Sequence, residues 1–518
     1  MWIWVAIGIV VSLATLLIVA AVVIQRAAPV LRSRITETLS ARFNGRVELD
    51  NLDVSVFHGL EVSGARLRIY PPGAVVAAGA TRPLIALDRF SFHTGLLGFF
   101  RQPMHVGTVR VDGLQIEIPP REMLRQNPGP AKRAGKMKMK IVVDEFVCDH
   151  SRLIIGTAKP DKDPKDFELR HIELHNLGPN APWRYDAWLT NAIPRGEIRA
   201  SGYFGPWQTD TPGGSSVSGH YTFDHADLNT IKGIGGMLSS VGDFKGQLDR
   251  IVVDGTTETP DFSLDTAHHP LPLHTRFHVI VEGISGDTYL QPVDAKLQDS
   301  SFTTGGSVID VKGRGHIIDL DVEIPQGRIQ DFLDLAVKTE PAVLTGIIAT
   351  KATLQIRPGK ERVADRLSVR GNFTLQGIHF TNPKVQDKVD MMSLRAQGRP
   401  EEARPGARDI YSHMDGSFFL SQGVIQFSKL VYVLQGARVS LDGVYSLDGQ
   451  QFDFHGIVRT DVPLSKMVDS RWLSFLLKAV SPFSKGKGGG AEIPVRISGT
   501  KSEPKFGLDV LRRRSEGR

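Results

Sequence analysis

Short runs in which apolar and polar residues alternate one by one recur along most of this chain, and no other feature limits its fold so tightly. Val47 and Leu49 flank Glu48, and Leu52, Val54 and Val56 enclose Asp53 and Ser55. The pattern returns at Val109/Val111, Leu114/Ile116/Ile118, Phe167/Leu169, Ile172/Leu174 and Leu320/Val322/Ile324. It continues at Leu354/Ile356, Phe373/Leu375, Val439/Leu441, Phe452/Phe454 and Ile493/Val495/Ile497. Side chains on a strand point to opposite faces in turn, so each run has one oily face and one wet face. Asp319, Asp321 and Glu323 supply the wet face of the 320–324 run. One-faced strands of this kind fit antiparallel better than buried parallel sheet. Asp-Gly pairs at 112–113, 254–255, 415–416, 442–443 and 448–449, with Asn-Gly at 44–45, are expected to make hairpin turns needing positive φ. No strand–helix–strand rhythm appears, which argues against a doubly wound fold.

Two stretches depart from this pattern. Trp2 to Ile24 is a 23-residue run without charge, with only Ser12 and Thr15 polar. As a helix it is about 34 Å long, enough for a bilayer core of roughly 30 Å. Trp2 and Trp4 stand where an interfacial aromatic anchor belongs. The run exceeds a usual signal-peptide core, and no basic segment precedes it, so an uncleaved membrane anchor is expected. The Arg residues at 26, 32, 34, 42 and 46 all follow it, which by itself favours a cytoplasmic body. Large domains, however, translocate largely regardless of charge. The second stretch is residues 464–480, where Met467, Trp472, Phe475 and Leu476 form the apolar side of an expected amphipathic helix. That helix would either cap the sheet or touch lipid.

The net charge of +6 is confined to segments outside the strands. Residues 1–50 carry +2, 121–140 carry +6 and 511–518 carry +3, which leaves the body at −5. A basic groove for nucleic acid is therefore not expected. Residues 119–140 are Pro-rich and basic and read as a solvated linker, with anionic lipid headgroups as the alternative contact.

Catalytic and metal-binding patterns are missing at the sequence level. His274 and His278 would share a strand face, but four residues span about 13 Å, too far for one ion. His268 and His269 add nothing to that set, and His171 and His175 fail on the same spacing. There is no HExxH, phosphate loop or GxSxG elbow, so no catalytic residue, metal or cofactor is assigned. The single Cys148 excludes an intrachain disulfide and reads as packing.

The layout as a whole resembles a known family. An apolar N-terminal run is followed by RVELDNLDVSVFHGLEVSGARLRIY and by LIALDRFSFHTGLLGFFRQPMHVGTVRVDGLQIEI. The end reads ARVSLDGVYSLDGQQFDFHGIVRT, then the amphipathic stretch, then IPVRISGTKSEPKFGLDV. These segments resemble the AsmA-like proteins of the bacterial envelope. The resemblance implies a single-pass inner-membrane anchor with the body in the periplasm. It also implies an elongated, curved antiparallel sheet whose inner face is an oily groove, as in bridge-like lipid-transfer proteins. Its implied partners are phospholipids, the inner membrane and outer-membrane or envelope proteins. On this layout residues 1–25 are the anchor and 26–45 a juxtamembrane helix. Residues 46–135, 136–300 and 301–460 form three β regions. Residues 461–483 are the amphipathic helix, 491–510 the terminal strands and 511–518 a basic tail.

The expected fold is thus mainly β, and the expected role is phospholipid transport or envelope lipid homeostasis without catalysis. A scaffold that assists outer-membrane protein assembly is the alternative. An acyl chain gains about 0.8 kcal/mol for each CH₂ kept from water, so a path for it needs a continuous apolar lining. Val109, Val111, Leu320, Val322, Phe373, Leu375, Phe452 and Phe454 are the candidate lining, with Trp2, Trp4 and Ile24 in the anchor. Alternation alone equally allows these side chains to fill a closed sandwich or barrel.

Overall fold

The computed structural model describes residues 45–55, 60–70, 82–94, 104–118, 141–155, 165–178, 181–206, 212–283, 285–311, 314–338, 340–359, 361–406, 412–447, 451–467, 490–500 and 503–509, with a few isolated positions besides. The 2–24 run, the linker at 119–140 and the amphipathic stretch beyond Met467 lie outside the described residues. Among the described residues no helix is long and apolar enough to cross a membrane. They form 26 strands and four α-helices, so the protein is mainly β as its alternation requires. The chain divides into two compact units, 1–225 with 241–253 and 281–286, and 226–240 with 254–280 and 287–518.

The first unit holds β1 (Val47–Glu48), β2 (Asn51–Ser55), β3 (Leu60–Ile69), β4 (Ile85–Thr94), β5 (Met104–Asp112) and β6 (Gln115–Ile118). They are followed by β7 (Ile141–Ile155), β8 (Lys165–Leu177), β9 (Trp183–Ala192) and β10 (Arg195–Phe204). β1 and β2 pair in succession along β3, and β3 pairs antiparallel with β4. The sheet is mixed where an antiparallel one was expected, because β7 runs parallel to both β5 and β6. Parallel neighbours need a long return connection. The 119–140 segment, expected as a linker between regions, provides it by joining β6 to β7.

The borders of the two units alternate along β11 (Ser216–Asp227), β12 (Ile234–Gly235), β13 (Met237–Gln247), β14 (Arg250–Leu264) and β15 (Leu271–Val281). Beyond them the second unit contains β16 (Thr288–Leu297), β17 (Ser300–Val311), β18 (Gly315–Arg328) and β19 (Leu344–Ile356). It continues through β20 (Leu367–Phe380), β21 (Ser412–Ser421), β22 (Val424–Leu434), β23 (Ala437–Ser446), β24 (Phe452–Thr460), β25 (Glu492–Gly499) and β26 (Pro504–Leu508). Each pairs antiparallel with the next in an unbroken meander.

Four helices interrupt the meander: α1 (Ile329–Ala336), α2 (Val363–Arg366), α3 (Pro383–Ala396) and α4 (Leu464–Met467). α3 starts where Pro383 follows Asn382, whose side chain accepts a hydrogen bond from the Lys384 N–H. It stops at Gly398, which takes φ +78° while the Arg399 N–H bonds back to the Leu394 carbonyl. Asp331 in the first turn of α1 is buried and accepts from the Ser300 hydroxyl at 2.7 Å, tying that helix to β17.

Three of the Asp-Gly pairs expected as turns lie inside strands instead: Asp254-Gly255 in β14, Asp415-Gly416 in β21 and Asp442-Gly443 in β23. Asp112-Gly113 makes no hairpin either: Gly113 takes φ +68° at a bend between β5 and β6, which continue in one register along β4 and along β7. The reason is cross-strand packing. Gly416 sits opposite Phe373, and a Cβ there would lie 2.6 Å from the Phe373 ring. The ring occupies the space that the missing side chain leaves.

Gly416→Val should therefore lower stability by about 1–3 kcal/mol, read as a lower urea midpoint. Adding Phe373→Leu should recover part of that loss. In the first unit, Cys148 is 1% exposed, and burial pushes its thiol up to about 11. A thiol reagent at pH 8 should leave the folded protein unlabelled and react once urea unfolds it.

Candidate apolar binding face

The register of the second unit lines up its apolar residues strand by strand. Leu320 of β18 stands opposite Leu354 of β19, and Leu354 opposite Val369 of β20. Val369 pairs with Leu420, and Leu420 with Ile425. Farther along, Tyr445 pairs with Phe452, Phe454 with Ile497, and Ile497 with Phe506. One face is therefore apolar from β18 to β26. The opposite face carries cross-strand polar pairs: Lys351–Glu323 at 2.8 Å, Gln355–Asp319 at 2.7 Å and Arg496–Asp453 at 2.8 Å. The Arg496 guanidinium hydrogen-bonds Asp453 and holds its carboxyl below the usual range.

The apolar face has two parts. At one end the helices fill it. Ile324, Ile348, Leu375, Ile378, Tyr432, Val439 and Val458 pack with Ala396 of α3 and with Leu464 and Met467 of α4. Ile329 and Phe332 of α1 join them. Ile378, Leu394 and Ala396 have no more than 1% of their surface exposed, so this end is a closed helix-on-sheet core. Val322, Phe373, Leu441 and Val495 mark its border. Past them Leu320, Leu354, Phe418, Phe427, Phe454 and Ile497 lie on the same face, are only half buried, and do not belong to that cluster.

Aromatic rings pave the sheet-only end. The ring of Phe373 lies 6.1 Å from that of Phe418 and 6.2 Å from that of Phe427. Phe427 and Phe454 are 5.8 Å apart, Phe454 and Phe452 6.2 Å, and Phe452 stacks on Tyr445 at 6.4 Å. Glycines face three of these rings across the ladder: Gly416 opposite Phe373, Gly371 opposite Phe418 and Gly443 opposite Phe427. The rings can lie down over those glycines, giving a largely hydrocarbon floor.

The sequence-derived lining residues divide accordingly. Leu320, Phe452 and Phe454 are at the sheet-only end, Val322 and Phe373 at the border, and Leu375 inside the helix-packed core. Val109 and Val111 belong to the first unit, where their face also carries Phe90, Phe92, Phe146, Cys148 and Ile172. Met467 is buried in the core, whereas Trp472, Phe475, Leu476, Trp2, Trp4 and Ile24 lie outside the described residues.

Two polar features were not legible in the sequence. A cleft of about 820 Å³ lies on the polar side of the second unit, lined by Asp321, Glu323, Lys351, Thr353, Arg370 and Asn372 among others. Its groups largely satisfy one another: Lys351 pairs with Glu323, Thr353 donates to Asp321, and Arg370 lies over the Phe419 ring. The apolar face is the stronger candidate site because its sheet-only end presents half-buried hydrocarbon that water does not satisfy. The second feature is in the first unit, where Glu145, Glu173 and His175 converge. The histidines weighed from sequence do not gather: His274 bonds Glu258 at 2.5 Å, His278 bonds Asp254 at 2.6 Å, and His269 bonds the Asp334 carbonyl.

Compared with known family models, with curated proteins and with solved structures, the chain finds no match.

A charge should be tolerated very differently at the two ends of the face. Ile378→Asp should unfold the second unit, since an unpaired buried charge adds to a lost side chain worth about 2–5 kcal/mol. Phe427→Asp removes two aromatic contacts at a half-buried position, should cost about 1–3 kcal/mol, and should leave the circular dichroism spectrum native.

Proposed function

We propose that the protein binds lipid acyl chains along its apolar sheet face and supports phospholipid transport or lipid homeostasis between the membranes of a bacterial envelope. The observation that carries this reading is the register from β18 to β26. It keeps one face predominantly apolar, with Thr350 the polar residue between Ile324 and Phe373, while the helices use only one end of it. A face of that composition left to water costs about 25 cal/mol for each Å² of apolar surface, and hydrocarbon removes the cost. From β18 to β26 there are nine strands, which at about 4.8 Å per step is roughly 38 Å of floor.

Transport along such a floor requires no chemistry. Near-uniform affinity from strand to strand lets a chain slide, and the paved rings provide it because each offers the same apolar surface. The resemblance to AsmA-like proteins supplies the setting in this reading: an N-terminal anchor in the inner membrane and the body in the periplasm. The sheet would then be the elongated, curved groove of that family.

The test is a photoreactive amino acid at Leu320, Phe427 or Phe454 in cells, with Ile347 on the polar face as control. Lipid adducts should form at the first three positions and not at Ile347, and phospholipid should copurify with the detergent-extracted protein. Leu320→Glu should reduce the copurified lipid severalfold with an unchanged melting temperature. Adducts to outer-membrane protein chains at these positions, without lipid, would replace this reading with the assembly-scaffold alternative.

A further inference from the structure

We infer that the polar side of the first unit holds a divalent transition-metal site, of the kind zinc fits, formed by Glu145, Glu173 and His175. The inference starts from strand register. On β8 the residues His171, Glu173 and His175 are alternate, so all three share one face. Glu145 of β7 is the registered partner of His175, and Asp149 of β7 is the partner of His171. Two strands thus bring two imidazoles and three carboxylates onto one narrow strip. His171 and His175 cannot share an ion with each other, as their spacing already indicates. Each instead meets carboxylates, with Glu173 between them.

Convergence is tightest around His175. One ligand atom each from Glu145, Glu173 and His175 lies within 4.8 Å of the other two, and His175 Nε2 is 3.1 Å from Glu173 Oε1. Ligands at zinc distances of about 2.0–2.2 Å stand about 3.3 Å apart in a tetrahedron. Small side-chain rotations close that difference. Thr108, the parallel partner of Glu145 on β5, donates to its Oε2 at 2.8 Å and orients the carboxylate from outside the set. His171 lies at the far side of Glu173, with Nε2 4.0 Å from Glu173 Oε2, and its Nδ1 is held by Asp149 at 2.7 Å.

The donor set defines the class of ion. An imidazole with two carboxylates and no thiolate does not favour soft Cu(I), and the imidazole is a poor ligand for Ca²⁺ or Mg²⁺. Zn²⁺, Co²⁺ and Ni²⁺ suit it. Glu173 and His175 are each about 30% exposed on their side chains, so an ion can reach them from solvent and keep a water ligand. Among the described residues this is where three such side chains meet within ligand reach. His274–Glu258 and His278–Asp254 are isolated pairs, and His455 meets Asp453 and Asp509 through opposite ring nitrogens, which one ion cannot use together.

The experiment uses the full, tag-free chain in detergent, stripped with chelator and dialysed against micromolar Zn²⁺, with metal counted by mass spectrometry. Co²⁺ in place of Zn²⁺ reports coordination by its visible absorption. Expected are one retained ion per chain, and a loss of affinity of about tenfold or more in both Glu173→Gln and His175→Gln. His278→Gln, at an isolated pair, should bind as the unaltered protein does. Native circular dichroism of the metal-free variants separates lost ligation from lost fold. No retained ion, or equal retention in Glu173→Gln and His175→Gln, would overturn the site. Lipid adducts at Leu320 report on the second unit, so either result leaves the lipid reading separately decided.

Discussion

The in-register pairing of apolar residues across the second unit is the constraint from which its other features follow. Because every strand there meets its neighbour antiparallel, one side chain out of register would turn a hydrocarbon residue toward the wet face. Bulges occur within β18, β20 and β22, yet the apolar residues resume the same face after each one. The face persists because each strand has only one set of side chains able to leave water. The opposing set is committed to ion pairs and hydrogen bonds with the next strand. Such exposed pairs contribute little stability individually, but they keep that face soluble and unlike its opposite.

A continuous apolar face can end in only two ways, covered or available, and this sheet does both. α3 is inserted between β20 and β21 and α4 follows β24, so both are delivered to the same end of the strands. There the Ala396–Gln397 backbone comes close enough that Gly436 has no room for a side chain, and the Ser393 hydroxyl donates to the Gln435 carbonyl. The core formed this way fixes the strands at one end and relieves the remainder of the face of any packing duty. The aromatic rings opposite Gly371, Gly416 and Gly443 belong to that remainder. Glycine in a strand is normally a weakness, and the rings offset it by covering the backbone themselves.

The first unit applies the same alternation with a different connectivity. The return of β7 parallel to β5 and β6 changes which polar residues become neighbours. Thr108 meets Glu145 and Asp112 meets Asp149 through parallel pairs, while Glu145 meets His175 through an antiparallel one. A purely antiparallel order would have separated these groups. The apolar residues tolerate either order, since Val109 and Val111 find Phe146 and Cys148 with the same facing. Thus the polar chemistry of this unit is more sensitive to topology than its core is.

The amino-acid order alone determined that the chain is mainly β, which residues of each run share a face, and that Leu320, Val322, Phe373, Phe452 and Phe454 fall on one oily side. These depend on a two-residue period, which is local. Tertiary structure decided what local pattern cannot carry. Whether Leu375 becomes floor or core depends on where α3 lands, and α3 comes from a separate insertion. Whether Asp415-Gly416 turns or continues depends on Phe373, some forty residues earlier in the chain. Whether His175 is isolated or joined by Glu145 depends on a register set thirty residues away. Periodicity assigns a side chain its direction, but only the partner strand assigns it a neighbour, and binding and packing are both properties of neighbours.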